Sequence, residues 1–349
     1  VYLGGLCAVA TWGDRLAKKR TPGSRRPIFY ALSLAVYCTS WTYFGSVGIA
    51  SRSGLDFLPI YIGPILVFSV GWRVLQTVAD IAKRQNIASI ADFLSARYGK
   101  SEALGALVAV VATIGIVPYI SIQLKAVSAS LDVMIANPVI ANAAMPFMQR
   151  IDGLSILVAV TMGAFAILFG TRHIDTTEHQ DGMILAISVE SLVKLGAFVA
   201  VGLFVTLSML GGFESLAARV SSDQHISGLL TKGLHGGRWI TLTALAAMAI
   251  VLLPRQFHVA VVENAHPDDI RRAAWLFPLY LVAINIFVLP IAIAGLVLLQ
   301  PGSDGDMFVL ALPVSAHSNL FAMIAFIGGL SASTAMVVVE TIALSIMAC

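Results

Sequence analysis

The chain has 349 residues, of which 58% are hydrophobic and 12% charged, with a net charge of +3 and a mean hydropathy of +0.87. This composition excludes a water-soluble domain, and several windows exceed the roughly 20 apolar residues that cross a bilayer. Cys7, Cys38 and Cys349 are odd in number and lie in or near apolar stretches, so neither a disulfide framework nor a paired-cysteine metal site is implied.

In chain order, residues 1–12 read as the tail of a leading transmembrane helix. A basic loop follows, with Arg15, Lys18, Lys19, Arg20, Arg25 and Arg26 among Pro22, Gly23 and Pro27. Span one is expected at 28–48. Its middle reads Cys38-Thr39-Ser40-Trp41-Thr42, and Gly45 and Gly48 stand near its end, where a lipid-facing helix would carry Leu, Ile or Val. Two readings remain open there. The helix opens around a solute or ion, since irregular backbone at membrane depth survives only where it lines a cavity inside protein. Alternatively, small residues let helices pack closely.

Span two is expected at 56–81, with Pro59 and Pro64 near its start, and the connection 83–100 is basic and contains an amphipathic segment at 87–98. Span three covers 102–125 with a kink at Pro118. Span four covers 154–170 and span five 182–210, joined by the polar link 171–181. Residues 211–238 form the largest polar segment. Span six covers 239–262 with Pro254 inside it, span seven 273–299 and span eight 317–347, separated by the loop 300–316. The start without Met and the stop inside an apolar run make the chain an expected fragment at both ends. Pro267-Asp268-Asp269 reads as a helix start, with Pro at the first helical position and acids at the positive end of the dipole.

Lys and Arg concentrate in alternate links, 15–26 and 83–100 above all, which makes those links cytoplasmic and sends span one outward. The expected organisation is a leading tail and cytoplasmic loop (1–27), a first five-helix repeat (28–210), an extracytoplasmic loop (211–238) and an incomplete second repeat (239–349). Span six is interrupted at Leu253-Pro254-Arg255-Gln256, where proline removes a donor and collides with the preceding turn. Span one is weakened at a comparable depth but runs the other way. Interrupted spans at matching positions of two opposed halves are the sequence pointer to a transporter site at the midplane.

Several blocks together carry a family resemblance: ALSLAVYCTSWTYFGSVG (31–48), ASIADFLSARYGKS (88–101), GIVPYISIQLKAVS (115–128), FGTRHIDTTEHQDG (169–182), LPRQFHVAVVENAHPDDIRRA (253–273) and GGLSASTAMVVVET (328–341). The chain resembles the sodium/solute symporter family, most closely the symporter-like membrane domain of CbrA-type bacterial sensor histidine kinases. The resemblance implies an all-α, LeuT-like inverted-repeat bundle (5+5), truncated in its second repeat, in a bacterial inner membrane. It also implies PAS and kinase domains further along a full-length chain.

The same resemblance implies a coupling cation, sodium or a proton. A sodium ion would lie between the break in span one and the inner half of span eight, held by the carbonyls of Ala35, Cys38 and Gly328 and the hydroxyl of Ser331. The family's second hydroxyl falls on Ala332, which has none; Thr334, one turn on, shares the face and is the expected replacement. The rival reading has these hydroxyls bonding back to helix carbonyls. Tyr37, Ser40, Trp41 and Thr42 on span one, with Gln256 and Phe257 on span six, are the expected solute-binding residues. An aromatic with hydroxyls at a half-helix terminus suits a small zwitterion such as an amino acid; core packing is the alternative for Tyr37 and Trp41.

Ionisable residues inside spans are functional candidates. Glu190 and Lys194 stand four apart in span five and can pair on one face, either as a self-neutralising structural pair or as a proton relay. Glu178 falls where the family carries an acid at the start of that span. His173, Glu178, His179 and Asp181 fit no metal-ligand spacing and read as a solvated loop. Two functions are set against each other: a nutrient-binding input domain of a membrane histidine kinase, and a stand-alone cation-coupled symporter. An integral-membrane enzyme finds no nucleophile–base or paired-carboxylate constellation at mid-membrane.

Overall fold

Apolar runs bounded by polar links become helices throughout the computed structural model, which describes residues 2–18, 27–136, 154–170, 181–232 and 236–348. Among these residues every regular element is helical. Helix α1 spans Tyr2–Lys18 and α2 spans Pro27–Ser33. A 3-10 turn at Leu34–Tyr37 and a π turn at Trp41–Gly45 follow, before α3 at Ser46–Ser53. Among the described residues four helices are long and apolar enough to cross a membrane, or up to six if each of two bent pairs is one span.

Span two differs from the expected continuous helix. It is α4 at Pro59–Ser69 and α5 at Trp72–Arg84, bent by 70°. The reason is compositional: Arg73, Asp80, Lys83 and Arg84 give α5 a polar face, while Leu75, Ala79 and Ala82 face the core. Such a helix is stable along a surface and not within hydrocarbon. Helix α6, Ile90–Arg97, is the predicted amphipathic segment, and the Ser89 hydroxyl caps it by accepting from the Asp92 N–H at 3.1 Å.

Helix α7 runs unbroken from Glu102 to Ala136 through Pro118, exposing Val110, Ile114 and Val117 as a lipid-facing surface would. Helix α8 spans Leu154–Gly170 and α9 Asp181–Leu203. The polar segment expected as a loop holds two short helices, α10 (Phe213–Ser222) and α11 (Gln224–Lys232). Helix α12 covers Gly236–Leu252 and the four-residue α13 Pro254–Phe257. Helix α14, Pro267–Asn285, begins at the predicted Pro-Asp-Asp start. Helix α15 spans Val288–Leu298; the expected loop 300–316 contains α16, Phe308–Ser315; and α17 spans Asn319–Ala348.

The core sits where the broken span one meets α9, α14 and α17. Close approach there depends on small residues. A Cβ on Gly328 would fall 2.3 Å from the Tyr43 hydroxyl, and one on Gly329 2.3 Å from the Phe44 ring. Gly63 lets α4 lie directly on α12, where a Cβ would come within 2.6 Å of the Thr243 carbonyl oxygen.

Candidate functional site

Two interruptions define the site. In span one the helix stops at Cys38, which is extended (φ −79°, ψ 98°), and resumes through the π turn at Trp41–Gly45. In span six it stops at Leu253 (φ −64°, ψ 132°), because the following proline ring excludes helical backbone from the residue before it. Chain direction changes by 57° there. The two breaks line one cavity of about 820 Å³, to which Thr39, Trp41 and Thr42 contribute from one side and Leu253, Pro254 and Arg255 from the other. Its remaining walls, from α4, α6, α7 and α12, are almost wholly apolar, with Tyr119 at the polar end.

Of the solute-binding residues expected from sequence, Tyr37, Trp41 and Thr42 line this cavity. Tyr37 is tied down by its hydroxyl, which donates to the Ile60 carbonyl at 2.7 Å. Ser40 is not a lining residue. It is buried and turned to α7, where its N–H and hydroxyl both donate to Gln123 Oε1, at 3.1 and 2.7 Å. Gln256 and Phe257 also lie outside the lining: Gln256 is fully buried, and Phe257 packs against Phe93 at 5.6 Å between ring centroids. Beyond the break the helix has resumed, and its first turn carries these two side chains into the core. Thr39 and Tyr119, whose hydroxyls meet at 3.1 Å, were missed by sequence reasoning.

The expected cation site is laid out differently. The carbonyls of Ala35 and Cys38 do converge, but on the ammonium of Lys194, which donates to each at 2.7 Å. The Ser331 hydroxyl points to α9 and donates to the Glu190 carbonyl at 2.9 Å. Thr334, expected to replace the missing hydroxyl, donates to the Glu190 carboxylate at 2.6 Å. Gly328 serves the contact with Tyr43 described above. The two carbonyls are thus held by Lys194, and the two hydroxyls donate to Glu190 of α9.

Glu190 and Lys194, expected to pair, do not touch. Lys194 reaches the break, and Glu190 accepts from Thr334 and, at 3.5 Å, from the Tyr2 hydroxyl. Acceptors freed by a broken helix outcompete a carboxylate already held by two hydroxyls. Glu178, His173 and His179 lie outside the described residues. Among the described residues no group of three His, Cys, Asp or Glu side chains could hold a metal ion.

A second buried charge system was not foreseen. Arg255, beside the break in span six, donates to Glu340 of α17 at 2.6 Å, and its guanidinium stands 4.9 Å from the centre of the Tyr119 ring. Both charges sit inside apolar segments, and the rule that singled out Glu190 and Lys194 applies to them equally.

A membrane bundle built around two apposed broken spans has the architecture of solute transporters that bind at the midplane. The structural comparison gives the same architecture. The structure superposes on that of a Na+-coupled sialic acid symporter in its substrate-bound, outward-open state, with a TM-score of 0.68 over 99% of this chain and 72% of that one, at 15% identity. The fold is thus that of a LeuT-type symporter. In sequence the chain is 25% identical over 315 residues to the uncharacterized symporter YhjB of Bacillus subtilis (strain 168), covering 89% of this chain. It spans 59% of the length of that relative. No family model matches.

Proposed function

We propose that the chain is the membrane domain of a cation-coupled solute symporter of the sodium/solute symporter family, resident in a bacterial inner membrane with loops 15–26 and 83–100 on the cytoplasmic side. The observation that carries this reading is the single cavity shared by the breaks at Cys38–Thr39 and at Leu253–Pro254. Hydroxyls and a guanidinium gather at one end, and apolar side chains from α7 and α12 form the rest. That division suits a small solute with a polar head and an apolar body, and an amino acid with an apolar side chain is the substrate class we favour. The sequence relative named as a symporter and the symporter fold support transport over the sensory reading. In the sensory reading the same cavity would feed kinase domains in a longer chain, and neither comparison is with a kinase.

Uptake of a panel of radiolabelled amino acids by cells expressing the full-length protein tests this. At least one apolar amino acid should accumulate, and Trp41→Ala and Thr39→Val should each lower its uptake about ten-fold or more, the equivalent of about 1.4 kcal/mol of lost binding. Uptake that is indifferent to both substitutions, in protein of normal abundance, would refute the assignment of this cavity.

A further inference from the structure

We propose that the ammonium of Lys194 is the resident cation at the break in span one and that this site takes no sodium. The functional meaning rests on the transporter reading above, whereas the site assignment rests on geometry alone. Lys194 is fully buried, and its Nζ lies 2.7 Å from both the Ala35 and the Cys38 carbonyl oxygens. These are the carbonyls that the symporter resemblance gives to sodium. Breaking the helix leaves carbonyls in need of donors, and an ammonium supplies three N–H groups on a flexible stem. Lysine thus satisfies the broken backbone and brings the positive charge, both from α9 of the same chain.

A sodium ion is disfavoured here for two separate reasons. It would have to share two carbonyls with a unit positive charge only a few Å away, in a region with little water to screen the repulsion. The second of the two adjacent hydroxyl positions that the resemblance assigns is Ala332, which has no side-chain oxygen.

The arrangement of Glu190 points the same way. It stands one turn from Lys194 on the same helix, yet each binds a different partner: the ammonium takes the break, and the carboxylate takes Thr334 and Tyr2. The charges thus balance within one helix while leaving the lysine free to act as the cation of the break. A sodium gradient consequently has no grip at this place, and span one is joined to α9 by a tether in every ion composition.

The test uses purified full-length protein in detergent and needs no knowledge of the solute. Thermal midpoints are measured in sodium chloride and in choline chloride at equal ionic strength, alongside retention of radioactive sodium. The wild type should show no midpoint shift between the salts and no sodium retention that depends on Ser331. Lys194→Ala should have a lower midpoint in choline and regain part of it in sodium, because removing the tether frees both carbonyls and the space between them. Saturable sodium binding by the wild type that Ser331→Ala abolishes would overturn the proposal, as would a folded Lys194→Ala protein indifferent to sodium. Should Lys194→Ala fail to fold, the wild-type sodium measurement decides by itself. Absence of amino acid uptake would count against the transporter reading and would leave these outcomes untouched.

Discussion

Arg255 and Glu340 offer the sharpest quantitative test of the buried charge system. Their charged atoms are 2.6 Å apart and their side chains are 1% and 0% exposed. At an effective dielectric constant of about 20, their attraction is about 6 kcal/mol. Withdrawing two ions from water costs several kcal/mol each, so the pair as a whole comes close to breaking even. Removing one partner is a different matter. Arg255→Met strands the Glu340 carboxylate in the core and should cost about 3–5 kcal/mol, with a further ~0.5–2 kcal/mol from the lost contact with the Tyr119 ring. Glu340→Met strands the guanidinium instead and should cost a similar amount. The double variant Arg255→Met, Glu340→Met strands neither and should recover most of the loss. The assay is the thermal midpoint of the four purified proteins in one detergent, read as a double-mutant cycle. A double variant whose midpoint falls by the sum of the two single falls would refute the pairing as the source of the energy.

Two further substitutions probe the break and the helix contact that supports it. Gln123→Leu removes the acceptor shared by the Ser40 N–H and hydroxyl and should cost about 1–3 kcal/mol. Ser40→Ala removes only one of the two donors and strands no backbone group, so it should cost less; equal midpoints for the two variants would argue against that pair of hydrogen bonds. Gly63→Val should push α4 off α12, because the added Cβ would lie 2.6 Å from the Thr243 carbonyl. Size-exclusion profiles should show less monodisperse protein than for Gly63→Ala, and a valine variant with a wild-type profile would contradict the close packing.

The membrane class, the positions of most spans and both interruptions were legible in the sequence, because each depends on local composition. An apolar run of sufficient length must close its own hydrogen bonds as a helix, and Pro254 forces Leu253 out of helical backbone whatever surrounds it. The bend at Gly71 was also written locally, in the charges of residues 73–84, although a hydropathy reading passes over it. Partner choice was not legible. Spacing along one helix offered Glu190 to Lys194, but the acceptors that Lys194 takes, Ala35 and Cys38, come from another span. Ser40 faces Gln123 across 83 residues of sequence, and Arg255 reaches Glu340 across 85. A buried polar group must be satisfied by whatever donor or acceptor the packing brings within about 3 Å. Only the tertiary arrangement of helices distant in sequence decides which group that is.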